Sequence, residues 1–254
     1  MKIGIVGQGF VGTAVREGLQ NYHKVNTFDL VEESTCKSLT ELVEKSKVIF
    51  VCVPTPMNSD GSCNTSIVEN VVKGIDEVVF YKKLKNIVVV IKSTIPAGTT
   101  ERLNGEHDNI QIVFNPEFLT EANSIDDFKN QNRIIIGGPR PASTKVRQLF
   151  YKAFPKAHII KTHSTIAEMV KYMTNTFLAT NDERLGKSHW AVPGPDGHYG
   201  FGGSCFPKDL NAIIDLCYEL EVPAKTLFGA WETNLKVRPE RDWENLKGRA
   251  VIEE

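Results

Sequence analysis

The chain opens with Lys2-Ile3-Gly4-Ile5-Val6-Gly7-Gln8-Gly9-Phe10-Val11-Gly12, and this stretch decides the fold. Lys2–Val6 is a short, β-branched run with the composition of a buried strand. Gly7, Gly9 and Gly12 then form GxGxxG, and residues 11–19 have helical spacing. In a strand–turn–helix context each glycine has its own reason. The first allows the tight turn, the second lets the backbone approach a pyrophosphate, and the third lets helix and strand pack closely. The helix start then offers unpaired N–H groups and a positive dipole end to the phosphates. Lys24–Phe28 reads as a second strand ending at Asp29. A carboxylate there accepts hydrogen bonds from a ribose diol and repels a 2′-phosphate, which favours NAD over NADP. The bland alternative is a plain turn with an aspartate capping a strand end, and the three context features together weigh against it.

Outward from this turn, strand and helix alternate. Helices are predicted at 39–45, 64–79 (with Thr65 as N-cap) and 143–154. Strands are predicted at 48–53, 86–91, 110–114, 133–136 and 158–161. Continuous apolar strands with helices between them predict an α/β fold, a Rossmann-like doubly wound parallel sheet covered on both faces. Pro54-Thr55-Pro56 falls at the carboxyl ends of the strands, where such sheets bind ligands. Near residue 163 the pattern changes. Thr165 and Glu168 fit a capping box for a helix running to about Ala179. A polar, Gly/Pro-rich stretch of functional-loop length follows at 181–203. Helices are then predicted at 206–220, with Pro207 in the first turn, and at 223–236. The last charged segment is predicted to be loosely held. The expected organisation is an NAD-binding domain at 1–163, a smaller central helical segment carrying a catalytic cysteine at 164–240, and a charged tail at 241–254.

The 254 residues are 41% hydrophobic and 24% charged, with a net charge of −1, the balance of an ordinary globular protein. That charge gives no electrostatic case for nucleic acid or a membrane surface as partner. No apolar run approaches the roughly 18 residues of a membrane span, and no export signal is read at the start. Cys36, Cys52, Cys63, Cys205 and Cys217 are odd in number, scattered and without CxxC. Neither a disulfide framework nor a zinc site is expected, the histidines show no ligand spacing, and a reducing cytoplasm is the expected compartment.

The most informative stretch after the first is Gly200-Phe201-Gly202-Gly203-Ser204-Cys205-Phe206-Pro207-Lys208-Asp209-Leu210. Three glycines precede a cysteine, and Pro207 marks a helix starting just after it. A thiol at a helix N-terminus feels the dipole, which favours thiolate. The glycines, Gly202 and Gly203 among them, leave room for a substrate to come close beside Phe201, and Lys208 and Asp209 add charge within a turn. The structural alternative is a small buried cysteine in a turn, the commoner fate of cysteine. Cys52 reads as core and Cys217 as a helix-face residue. Lys171 and Asn175 lie four apart on one helix face, one turn after Glu168. Such a pair stabilises an oxyanion and relays a proton, unless it is simply an exposed face. Glu117 and Glu121, after a strand end, either serve a site or start a helix.

These residues together resemble the UDP-glucose/GDP-mannose dehydrogenase family of nucleotide-sugar dehydrogenases. The matching stretches are GIVGQGFVG near the start, VCVPTP at 51–56, KSTIPAGTT at 92–100, NPEFLTEA at 115–122, EMVKYMTNTFLA at 168–179, DERLG at 182–186 and GFGGSCFPKDL at 200–210. They run in the family's order, and the last is highly specific. The resemblance implies a four-electron oxidation of a sugar C6 alcohol with two NAD in succession, UDP-glucose to UDP-glucuronate being the simplest case. Cys205 matches the thiolate that holds the carbon as thiohemiacetal and then thioester. Lys171 matches a lysine that stabilises negative charge or moves protons, Asn175 the asparagine beside it, and Asp209 the aspartate that holds water. Glu117 and Thr94 match residues of proton transfer and thioester hydrolysis. Phe118, Leu119 and Glu121 match the loop lining the sugar nucleotide, and Arg184 an arginine that meets it near a subunit interface. Phe10, Val11, Val53, Pro54, Thr55, Thr94 and Glu121 join Gly7, Gly9, Gly12 and Asp29 as cofactor contacts. No metal is implied.

The chain departs from the family in two ways. Phe177-Leu178-Ala179-Thr180 joins Asn181 directly, where members carry a few tens of residues finishing a long helix that makes a homodimer. The family's C-terminal domain that binds the nucleotide half is not expected within these residues. Two other readings stay open: a one-step NAD-linked 3-hydroxyacid-type dehydrogenase, which has no need of Cys205, and an NAD-binding remnant without turnover.

Overall fold

The computed structural model describes residues 1–176 and 196–252. Contacts divide the chain into two compact units, Met1–Val53 with Ser66–Lys171, and Pro54–Thr65 with Tyr172–Glu254. The divisions at 163 and 240 follow sequence pattern instead of contact, and as organisation they remain proposals.

The first unit alternates β1 (Lys2–Val6), α1 (Phe10–Leu19), β2 (Lys24–Phe28), α2 (Leu39–Lys45), β3 (Val48–Val51), α3 (Ser66–Tyr81), β4 (Val88–Ile91), α4 (Thr99–Glu106), β5 (Gln111–Phe114), α5 (Ser124–Lys129), β6 (Arg133–Gly137), α6 (Ala142–Ala153), β7 (His158–Thr162) and α7 (Ser164–Thr176), whose last turn belongs to the second unit. Among the described residues seven strands form one sheet, ordered β2-β1-β3-β4-β5-β6-β7. Alternation along each strand divides two cores. Ile49, Val51, Val89 and Ile91 face Leu42, Val72 and Ile75. Val48, Phe50, Val88 and Val90 face Val15, Leu19, Val146 and Phe150. Each such side chain contributes roughly 1.5–3 kcal/mol when buried, so a one-residue slip of β3 would move every side chain to the wrong core.

The sheet is mostly, not wholly, parallel. β6 runs antiparallel to β5, with Phe114 opposite Gly137, and β7 is parallel to β6. The six-residue α5 packs on α1, where Phe128 fills the space left by Gly18. It does not carry the chain back across the sheet as a parallel crossover must. Sequence pattern also misses α4 and α5. α4 buries only Thr99, Thr100 and Leu103, so it has no apolar period. Its N-cap, Gly98, has no side chain and sits at φ 93°. The cap comes instead from Glu168, whose Oε2 and Oε1 accept the Gly98 and Thr100 N–H groups at 2.6 and 2.8 Å. The expected Thr165/Glu168 capping box is therefore absent: α7 already begins at Ser164, and the Glu168 carboxylate serves a different helix.

The second unit contains α8 (Phe206–Glu219), α9 (Lys225–Val237) and a 3₁₀ turn at Asp242–Asn245. Residues 242–252 are not loosely held, contrary to the charge-based expectation. Trp243 is 1% exposed and its ring lies 5.4 Å from that of Trp231. The Met57 N–H donates to Ala250 O at 2.8 Å, and the Ile252 N–H to Met57 O at 3.0 Å. Charged residues on either side of Trp243 mask one large apolar anchor in the sequence.

Candidate functional site

In the first unit the turn between β1 and α1 is fixed by close backbone approach. A Cβ on Gly7 would lie 2.3 Å from Cys52 O, and one on Gly12 1.9 Å from Gly7 O. A Cβ on Gly9 would meet nothing within 4 Å. Gly9 is the exposed N-cap of α1, which has no side-chain cap and no acidic residue in its first turn. The Gln8 N–H donates to Asp29 Oδ2 at 2.6 Å, and the Val31 and Glu32 N–H groups to Oδ1 at 2.8 and 3.1 Å. Burial pushes the Asp29 carboxyl up, but these backbone donors outweigh it and hold it below the usual carboxylate range. Oδ2, which accepts the Gln8 N–H, is the oxygen that a ribose hydroxyl would share in this arrangement. Open space at Gly9, an uncapped helix start and an ionised Asp29 fit an NAD pyrophosphate and ribose. Phe10 and Val11 open α1, half-buried. Val53, also half-buried, accepts the Ser93 hydroxyl on its carbonyl at 2.7 Å.

The same unit assembles a second cluster from the β4–α4 and β5–α5 loops and α7. Thr94 is buried in the first loop. Lys171 Nζ donates to Glu117 Oε1 at 2.6 Å, with the lysine 4% and the glutamate 8% exposed. The reading of Lys171 as an exposed helix face is thus excluded. Glu117 Oε2 also accepts the Leu119 N–H at 2.7 Å. Phe118 lies under the Arg133 guanidinium, 4.9 Å from the ring centre; Leu119 is half-buried and Glu121 exposed. Beneath this pair lies Lys92, which sequence reasoning missed. It donates to Asn115 Oδ1 and O at 2.9 and 3.2 Å, and Asn115 Nδ2 donates to Ile135 O at 2.7 Å. Burial lowers the Lys92 ammonium to about 8, against the opposing pull of Cys52 and Glu117. Burial likewise pushes the Cys52 thiol up to about 12, as suits a core cysteine. Asn175 lies one turn after Lys171 in α7, and its side chain is outside the described residues, as are Arg184, the DERLG stretch and the Thr180–Asn181 junction.

In the second unit Cys205 is the N-cap of α8; its carbonyl accepts the Asp209 N–H at 2.8 Å, and Pro207 occupies the first turn. The Ser204 hydroxyl is 3.7 Å from Sγ. Lys208 and Asp209 form a buried ion pair at 2.5 Å. Burial disfavours the Lys208 ammonium, but Asp209, Cys63 and Cys205 around it win and hold it above the ordinary lysine range. Thr55, also here, is buried and lies beside Cys63, as does Tyr172. Burial pushes the Cys63 thiol up. Pro54 is exposed. Gly200 and Gly203 both have φ 74°. The glycine strap is held by residues the sequence reading missed, Asn234, Arg238 and Asp242. Their separation from it, more than thirty residues, leaves no local pattern; only the i, i+4 spacing of the three hints that they act together.

Among the described residues no helix is long and apolar enough to cross a membrane, and no group of three or more His, Cys, Asp or Glu side chains is placed to hold a metal ion.

A glycine turn between β1 and α1, an ionised aspartate ending β2 and a mostly parallel sheet define an NAD-binding, Rossmann-type protein. Residues 17–155 match the UDP-glucose/GDP-mannose dehydrogenase family, NAD binding domain, and the chain belongs to that family. It is 29% identical to UDP-glucose 6-dehydrogenase TuaD of Bacillus subtilis (strain 168), over 93% of this chain and 63% of that one. That alignment runs over 297 positions, more than this chain's 254 residues, so TuaD carries residues that this chain lacks. It is 33% identical to UDP-glucose 6-dehydrogenase YwqF of the same organism, over 80% of this chain and 52% of that one. This chain therefore spans less than two thirds of either relative. The fold is shared with a UDP-glucose dehydrogenase from Pyrobaculum islandicum, at a TM-score of 0.75 and 24% identity, covering 97% of this chain and 70% of that one.

Proposed function

We propose that the chain oxidises the C6 alcohol of a nucleotide sugar to the uronic acid, UDP-glucose to UDP-glucuronate, with Cys205 holding the carbon between two oxidations. The observation that carries this is Cys205 itself, the N-cap of α8 with a charged Lys208 in the next turn. A helix N-terminus and a neighbouring ammonium are the two features that favour a thiolate. NAD, when bound, takes up one hydride in each oxidation. Loss of a hydride from C6 and a proton from O6 gives the aldehyde. Glu117, paired with Lys171, takes that proton, and Lys171 with Asn175 steadies the charge that develops on oxygen. The Cys205 thiolate adds to the aldehyde carbon, and the oxygen is protonated to give a thiohemiacetal. Loss of a second hydride and of the hydroxyl proton gives the thioester. Water held by Asp209 adds to that carbon, Thr94 serves the hydrolysis, the C–S bond breaks, and the acid leaves with Cys205 restored.

Phe118, Leu119, Arg184 and the Phe201–Gly203 strap line the sugar nucleotide in this reading, and Glu121 joins the cofactor contacts. The compartment in this reading is the reducing cytoplasm that a reactive thiol needs, and a homodimer is the candidate assembly. The test is NADH formed per limiting UDP-glucose at excess NAD. About two per sugar is expected, because covalent capture requires two oxidations. One per sugar means a single-step dehydrogenase and removes Cys205 from the chemistry.

A further inference from the structure

We infer that Asn234, Arg238 and Asp242 form a clamp that positions Cys205, by holding the glycine strap before it at fixed points. Asn234 is 2% exposed and grips the Phe201 backbone on both sides. Its Oδ1 accepts the Phe201 N–H at 2.7 Å, and its Nδ2 donates to Phe201 O at 2.9 Å. Two residues on, the Gly203 N–H donates to Asp242 Oδ2 at 2.9 Å. Arg238, the C-cap of α9 and 4% exposed, donates from Nε to Asp242 Oδ1 at 2.6 Å and from Nη2 to Asp196 Oδ2 at 2.6 Å, so it joins Asp196, ahead of the strap, to the aspartate that holds Gly203.

Packing repeats the pattern of the hydrogen bonds. A Cβ on Gly200 would lie 2.3 Å from Asn234 Oδ1, and one on Gly202 2.6 Å from the Arg238 guanidinium carbon. Phe201 stacks at 6.2 Å on Trp231, three residues before Asn234 on the same helix. A polar side chain buried to this depth is costly unless bonded, and both side-chain bonds of Asn234 are to the strap. Asn234 is also the one buried residue of α9, and its side chain is buried against the strap. With the strap fixed, Ser204 and Cys205 enter α8 at one angle, which keeps the thiol at the helix start beside Lys208.

The clamp rests on the reading of Cys205 as the reactive thiol, and its test needs no sugar nucleotide and no turnover. The full chain is alkylated with iodoacetamide across a pH series, and the Cys205 peptide is followed by mass spectrometry so that the other four cysteines do not interfere. Asn234→Leu removes both bonds to Phe201; Asp242→Asn keeps the shape and an acceptor for Gly203 but loses the charge that Arg238 holds. Glu232→Ala, on the exposed side of α9, is the control. In both clamp variants the titration midpoint of Cys205 is expected to rise by about one pH unit, which is roughly a tenfold slower alkylation below the midpoint. Hydrogen exchange at the Phe201 and Gly203 amides rises with it, and Glu232→Ala changes neither. Folded variants with faster exchange but an unmoved Cys205 midpoint would overturn the inference, leaving the clamp as ordinary packing. If Asn234→Leu fails to fold, Asp242→Asn alone decides. A moved midpoint in a protein that makes no acid from UDP-glucose would sink the proposed function and leave the clamp standing.

Discussion

The two glycine-rich turns of this chain look alike in sequence and are built on different physics. In the turn at residues 7–12 the glycines answer to main chain: Gly7 to the Cys52 carbonyl, Gly12 to the Gly7 carbonyl. In the strap at 200–203 they answer to side chains, Gly200 to Asn234 and Gly202 to Arg238 and Asp242. The first turn is fixed by main chain of its own strand and helix and of the neighbouring strand ends, at Cys52 and Phe28. The second has no strand to define it and is held by residues that arrive more than thirty positions later. The first also leaves a gap at Gly9 for a ligand backbone to fill, whereas the second is filled by the protein itself and delivers a side chain, Cys205.

The largest effect should fall on that side chain. Cys205→Ala is expected to abolish uronate formation from UDP-glucose, since no thioester forms without sulfur, while NAD affinity by calorimetry stays at the wild-type value. Full acid production would end the covalent proposal. Weakened NAD binding would instead break the division of labour between the two turns. Next in size is Gly12→Ala. The new methyl would sit 1.9 Å from Gly7 O, a backbone atom that cannot step aside. Overpacking of this kind costs about 3 kcal/mol, a large part of a domain's stability. Thermal unfolding checks it, and an unchanged midpoint would mean the turn is looser than its geometry.

This contrast also explains what was legible in the sequence. β1, β2, α2 and the GxGxxG turn could be placed because their patterns are local, and their bounds agree to within a residue or so. α4 could not, because its cap is Glu168, about seventy residues on, and it has almost no apolar face. The reversed β6 could not, because nothing local distinguishes a strand entered from the other end. Of the candidate site, Lys171 and Glu117 were each visible as residues, but their pairing is a tertiary fact. Lys92 was hidden because a buried lysine inside an apolar strand end carries no period. Trp243 was hidden because its charged neighbours set the composition of the whole segment.

A smaller effect tests the cofactor end of the first turn. Asp29→Ala is expected to weaken NAD binding by roughly 1–3 kcal/mol, the cost of leaving polar groups unpaired. The pH dependence has a definite sign. The folded carboxyl titrates below its ordinary value, so the charged form is present at neutral pH and is lost only as pH falls through that lowered value. Wild-type affinity should therefore hold through the ordinary carboxylate range and decline only below it, whereas Asp29→Ala should show no such decline. Equal affinities at pH 7 would reduce Asp29 to a cap for the Gln8, Val31 and Glu32 amides.

The smallest changes in stability are the most discriminating, because two glycines with no neighbour within 4 Å of a Cβ, Gly9 exposed and Gly203 half-buried, should respond differently. Gly203 has φ 74°, where any L side chain is strained, so Gly203→Ala should lose about 1 kcal/mol of stability through the backbone alone. Gly9 has φ −63°, which alanine adopts freely. Gly9→Ala should leave stability unchanged or raise it by roughly 0.5 kcal/mol, since the unfolded chain loses freedom and the fold loses nothing. Its penalty should appear only when NAD is added, as an affinity at least about tenfold weaker, because the methyl occupies the space that the pyrophosphate needs. A Gly9→Ala protein that is stable and binds NAD normally would show that the open space at Gly9 is not the cofactor's, and the cradle would have to be sought elsewhere along the strand ends.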